Sequence, residues 1–175
     1  MEVNATAAAL LGLLRRSGPA TGYALAQRAQ EELGDYWTVT RSQVYRELAA
    51  MAAAGLVQAG EAGARDARPY TVTDPGLAAF TAWLHSDLGA DVVRIPLLLR
   101  LAFVDALDPT RLAELVAEQR AQHAARLAAY EDLERAGIEV GGTDRDLVTL
   151  RFGIAYERAV LTWFDGLDLQ ALTGG

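Results

Sequence analysis

Glycine and proline in this chain fall at the ends of apolar periodic runs, and over the first half they cut it into short segments. Ser17-Gly18-Pro19 closes an apolar run from Ala5 to Arg16. A glycine that tolerates left-handed backbone, followed by a proline that cannot extend a helix, is a stop signal. Thr21 is placed to cap a second helix through Leu33, with Tyr23, Leu25, Ala26, Ala29 and Leu33 near one face and Gly34 at its end. Thr40-Arg41-Ser42-Gln43 has the spacing of a capping box, a hydroxyl at the cap and a glutamine three residues on. Val44, Tyr45, Leu48, Met51 and Ala52 then recur at helical steps until Gly55.

Leu56-Val57-Gln58-Ala59 and Pro69-Tyr70-Thr71-Val72-Thr73 flank the Gly-rich connector GEAGARDAR and predict a β-hairpin with a long loop. Thr73 or Asp74 caps a further helix, with Pro75 near its start and Leu77, Phe80, Trp83 and Leu84 on its apolar face. A second region starts near Leu88-Gly89. It is expected to hold an apolar helix over Ile95 to Leu107, a long helix from Pro109 to about Arg135, and a last helix from Thr143 through Trp163 and Phe164. Ala136-Gly137 and Gly141-Gly142 mark a break before that last helix. The fold class expected is mainly α: a domain over 1–88 with one small hairpin, then an all-helical domain over 89–175. The length of the Pro109 helix points to a partner helix from a second copy.

The formal net charge is −7, all 16 basic residues are arginine, and cysteine is absent. Disulfide scaffolds, thiolate metal sites and cysteine nucleophiles are thereby excluded. The acidity is uneven: residues 1–80 carry seven arginines against eight acids, and the remainder nine against fifteen. The opening MEVNATAAALLGLLRR has its arginines after the apolar run, opposite to the order of a secretory signal. A cytoplasmic protein without a membrane partner is expected.

The order helix, helix, helix with a cationic start, then hairpin is the outline of a winged helix-turn-helix. A helix of that kind fits the roughly 12 Å wide major groove of double-stranded DNA and offers Arg, Gln, Ser and Thr to base edges. Arg41, Ser42, Gln43 and Arg46 are the candidates for that contact, beside the cap Thr40. Arg65 and Arg68 in the connector can reach the flanking backbone or minor groove. Tyr23 and Tyr45 sit beside apolar neighbours, which favours packing with an exposed hydroxyl.

Several spaced motifs strengthen this outline. ALLGLL at 9–14, P-x-x-GYAL at 19–25, SQVYRELAAMAAAGLV at 42–57 and YTVTDPGLAAFTAWL at 70–84 resemble the PadR-type transcriptional regulators. The likeness continues in LLLRLAFVDALDP at 97–109, EQRAQHAARLAAYEDLE at 118–134 and LRFGIAYERAVLTWFDGL at 150–167. The resemblance implies a homodimer of winged-helix domains, joined by the C-terminal helices, that represses transcription at a palindromic operator and responds to a small aromatic or drug-like effector. It also implies a tyrosine-centred recognition helix, which adds Tyr45 to the DNA-facing set. The wing departs from the family pattern: a basic run is expected before Tyr70, and only Arg65 and Arg68 are present, with Asp66 between them. Arg46 stands where many relatives have proline.

In the C-terminal half, Trp83 and Arg94 flank the domain junction and could take a planar anionic effector by stacking and pairing. Leu112, Leu115, Val116, Tyr156 and Trp163 are the candidates for the dimer interface. His85 and His123 lie far apart without an i+4 ligand partner, so no metal and no cofactor are expected. No phosphate-binding glycine loop, nucleophile elbow or zinc-hydrolase motif occurs, and an enzyme is not expected. The alternative function is a dimeric winged-helix adaptor with little DNA affinity, which the arginine-poor wing favours.

Overall fold

The computed structural model describes residues 1–34, 36–61, 68–90 and 93–173. The chain divides into two compact units, Met1–Ala90 and Asp91–Gly175. The first contains α1 (Ala5–Ser17), β1 (Ala20–Thr21), α2 (Gly22–Leu33), α3 (Arg41–Ala53), β2 (Val57–Ala59), β3 (Pro69–Val72) and α4 (Asp74–Leu84). The second contains α5 (Pro96–Leu101), a 3-10 turn (Val104–Ala106), α6 (Pro109–Glu139), α7 (Asp144–Asp165) and α8 (Leu169–Thr173).

Every helix of the first unit starts on a side-chain cap. Asn4, Thr21, Thr40 and Thr73 each accept a hydrogen bond from the backbone N–H three residues on, satisfying donors the helix cannot. Gly18 and Gly55 follow α1 and α3 with φ of 74° and 71°, the left-handed conformation that favours glycine. Leu10, Leu11, Leu14, Leu25, Val44, Leu48 and Met51 close a fully buried core between α1, α2 and α3. Phe80 of α4 packs on that core against Gly12, where an added methyl would stand 3.1 Å from the ring.

The expected hairpin is present and has a third strand. β3 pairs antiparallel with β2 (Val57 opposite Val72) and with the two-residue β1 (Ala20 opposite Tyr70), so the order is β1-β3-β2. The Thr73 hydroxyl donates to the Gly55 carbonyl at 2.7 Å and accepts from the Gly76 amide at 3.1 Å, tying α4 to the end of α3.

In the second unit two expectations change. The helix expected over 95–107 stops at Leu101 and gives way to the 3-10 turn. Leu101, Val104 and Leu107 all pack on the same cluster, and their spacing of three matches the 3-10 repeat rather than the α repeat. The long helix runs on to Glu139, through the expected break at Gly137. That glycine does not stop a helix; a methyl there would meet Leu147 of α7 at 2.9 Å, so it lets the two helices approach. The helix ends instead at Val140-Gly141, with Gly141 at φ 80°. Leu97, Leu112, Leu115, Val116 and Phe164 form the core of this unit. Among the described residues, no helix is long and apolar enough to cross a membrane.

Candidate nucleic-acid interface and ligand cavity

The N-terminal half of α3 is built by its own cap. The Thr40 hydroxyl accepts from the Gln43 amide at 3.3 Å, and the Gln43 carboxamide oxygen accepts from the Thr40 amide at 2.8 Å. Ser42 Oγ lies 3.1 Å from Thr40 Oγ1. Val44, Glu47, Leu48 and Met51 face inward, which by helical periodicity leaves Arg41, Ser42, Tyr45 and Arg46 outward and exposed. Thr40, Arg41, Ser42 and Arg46 are therefore exposed along the first two turns of α3, with Gln43 half-buried among them.

Their freedom differs. Gln43 has its oxygen engaged by the cap and keeps only its amide N–H groups for a ligand. Arg46 Nε stands 4.0 Å from Glu47, a pair whose arginine is 68% exposed and which contributes little. Glu47 itself is buried and accepts from Asn4 Nδ2 at 3.2 Å, so the α1 cap also serves a buried carboxylate of α3. Arg41 has its guanidinium carbon 4.8 Å from the centroid of the Tyr23 ring.

Tyr45 does not belong to the inward stripe of α3. It is half exposed, and its ring lies over Gly22, where a methyl would come within 2.6 Å. Tyr23 likewise leaves the apolar face of α2 and is half exposed. Arg68 is exposed immediately before β3, and Arg65 lies outside the described residues.

The second unit holds a cavity of about 480 Å³, lined in part by Arg94, His123, Arg126, Tyr156, Trp163 and Phe164. Ile95, Leu97 and Val160 supply apolar wall, and Gln119 and Gln122 add polar groups. Trp163 meets Phe164 edge to face, with ring centroids 4.9 Å apart. Arg94 is therefore part of a cavity. Trp83 is not among its lining residues and sits half buried on α4 of the first unit.

Behind the cavity wall lies a buried charge that sequence reasoning missed. Glu157 is 2% exposed; its carboxylate stands 2.5 Å from His123 Nδ1 and accepts from Arg126 Nη1 at 3.2 Å. A carboxylate taken out of water needs such compensation. The sequence signal was faint: Glu157 falls in helical register with Ile154 and Phe164, the inward residues of α7. Among the described residues no cluster of three potential metal ligands occurs.

The dimer candidates separate into two groups. Leu112, Leu115 and Val116 are buried against Leu97 of α5 and Phe164 of α7, so the chain's own core covers the face expected to meet a partner. Tyr156 and Trp163 are exposed, and with Val148 and Phe152 they form an outward apolar stripe along α7.

Comparison with known proteins covers both units. Residues 10–82 match the family described as the PadR-like family of transcriptional regulators, and residues 93–167 match the family described as the C-terminal part of virulence activator alpha. The negative transcriptional regulator PadR of Bacillus subtilis is 26% identical over 171 residues, covering 91% of this chain and 93% of that protein. The crystal structure of Bacillus subtilis PadR in complex with operator DNA superposes with a TM-score of 0.79 at 24% identity, covering 97% of this chain and 99% of that one. Its structure in complex with p-coumaric acid gives 0.76 at the same identity and coverage. With the capped, cationic third helix and the three-stranded sheet in place, residues 10–82 form a domain of the PadR-like family of transcriptional regulators, and nearly the whole chain is similar to PadR regulators.

Proposed function

We propose that this regulator is a cytoplasmic, homodimeric repressor that binds a palindromic operator in double-stranded DNA and is released by a small aromatic effector. The observation that carries the DNA-binding reading is the exposed start of α3, Thr40–Arg46, capped from both sides and presenting two guanidinium groups. Tyr45 sits beside them, and Arg68, exposed before β3, extends the contact toward the flanking backbone; Arg65, in the same connector, is assigned that role from the sequence alone. A dimer would set two such helices one helical turn of DNA apart, about 34–36 Å, and occlude polymerase. The outward stripe of α7, led by Val148 and Phe152 and continued by the outer edges of Tyr156 and Trp163 where it borders the cavity, is the face we assign to the second copy; Leu112, Leu115 and Val116 support it from the core beneath. The relative's complex with operator DNA supports the same reading.

We assign the effector to the cavity of the second unit. Arg94 and Arg126 favour an anionic group, and Tyr156 and Trp163 give a planar ring faces to stack on. In this assignment Trp163 takes the stacking role first given to Trp83. The relative's complex with p-coumaric acid supports a ligand of this chemistry. An effector that binds better to a dimer of altered helix spacing shifts the population away from the operator-competent form.

The test is fluorescence anisotropy on DNA from upstream of the gene, across a range of salt. A repressor gives a specific shift with a steep negative salt slope, reduced by about one unit in Arg46→Ala if that guanidinium meets a phosphate. Binding that never exceeds that to random DNA would overturn the reading in favour of an adaptor. Titration with p-coumaric acid should quench tryptophan emission and lower operator affinity, and Trp163→Phe should remove most of the quench.

A further inference from the structure

Arg41 is held in an unusual way for a residue at an exposed helix start. Its guanidinium lies over the ring of Tyr23, 4.8 Å from the centroid, although the two residues belong to different helices. Tyr23 is 54% exposed and contributes little to the core, so packing alone does not account for its place. A second ring fixes the arrangement. Tyr45 of α3 packs on Gly22 of α2 so closely that only glycine fits there, and Gly22 is the residue before Tyr23. Each helix thus lays a tyrosine against the start of the other. An open groove of about 310 Å³ remains beside the stack, between Tyr23, Gln27, Glu31, Val39 and Arg41.

The chemistry of a guanidinium gives this stack a use. A cation–π contact occupies one flat face of the group, whereas bidentate hydrogen bonding to guanine O6 and N7 uses its edge. The two therefore do not compete. An arginine already stacked has fewer rotamers left to lose when DNA arrives, and its fork is aimed before contact. The neighbouring Gln43 is less available, with its oxygen in the cap. Among the described residues Arg41 makes no ion pair.

We propose that Tyr23 is the positioning residue for Arg41, and that the stacked pair reads a guanine of the operator. This rests on the DNA-binding reading above. The experiment measures affinity of the full chain for an operator duplex and for duplexes in which each G·C pair is replaced in turn. The unmodified chain should show one pair per recognition helix whose replacement weakens binding by about tenfold to a hundredfold, and Arg41→Ala should erase that discrimination. Tyr23→Leu should weaken operator binding by about three- to tenfold and shrink the discrimination at that same pair, while Tyr23→Phe keeps both. Arg41→Lys should retain the salt slope and lose the discrimination, and it carries the test if the leucine variant does not fold.

Tyr23→Leu that weakens every duplex equally would make the tyrosine merely structural and overturn the proposal. Arg41→Ala or Arg41→Lys with unchanged base preference would overturn it as well. Absence of operator binding by the unmodified chain would instead overturn the DNA-binding reading itself.

Discussion

The two units solve the problem of a small helical domain in opposite ways. The first uses short helices, each begun on a side-chain cap, around a core of alanine, leucine, valine and methionine. The second uses two long helices with a thin core, although each unit buries one carboxylate, Glu47 in the first and Glu157 in the second. It also leaves Val148, Phe152, Tyr156 and Trp163 in water. Stability of the first unit is therefore mainly local and internal. That of the second depends on pairing across α6 and α7 and, in the dimer we propose, on a second copy.

This contrast can be broken most directly by the same truncation in each core. Leu48→Ala, at a fully buried position, is expected to cost about 4 kcal/mol. Leu115→Ala, at the margin of the thinner core, should cost about 2 kcal/mol. Urea denaturation checks both, and equal losses would erase the distinction. Glu157→Gln comes next. It removes the charge that faces His123 and Arg126, and should cost about 2 kcal/mol, because the half-buried His123 loses a charged partner while Arg126 can still turn to water. No measurable loss on thermal unfolding would mean that the buried charge contributes specificity rather than stability.

Smaller effects sharpen the comparison at the helix starts. Thr40→Ala should cost about 1 kcal/mol by removing a capping-box hydroxyl. It should also lower operator affinity, since the cap holds the exposed turn. The start of α7 offers a pH test. Thr143 donates to the Asp146 carboxylate through its hydroxyl at 2.7 Å and its amide at 2.9 Å, which holds that carboxyl below the ordinary carboxylate range. A carboxylate with a depressed folded-state pKa stabilises above its unfolded value and loses that contribution as pH falls through the folded one. The difference in melting temperature between the unmodified chain and Asp146→Asn should be present at neutral pH. It should close as the pH drops below about 4.

The same contrast governs what could be read from the sequence. Caps at Thr21, Thr40, Thr73 and Thr143, and the glycine stops at 18 and 55, depend on contacts within three or four residues, and the one-dimensional pattern contains them. The two-residue β1 carries no alternation of its own and exists because β3 passes beside it. Gly137 looks like a stop in isolation; only the position of Leu147 reveals it as a packing residue. The exposed cationic turn of α3 was legible for the same local reason as its cap. The stack of Arg41 on Tyr23 and the burial of Glu157 beside His123 join residues on different helices, and spacing along the chain does not encode them.

Gly137 and Gly153 have a mechanical consequence. Leu147 of α7 enters the surface of α6 at Gly137, and Tyr130 of α6 enters that of α7 at Gly153. Each helix thus carries both a notch and a peg. A helix pair that grips in both directions cannot slip by one turn, about 5.4 Å, without withdrawing both pegs together. Beside the cavity, the two pegs therefore oppose sliding of α6 along α7. A pair matched only by smooth apolar faces has no such lock.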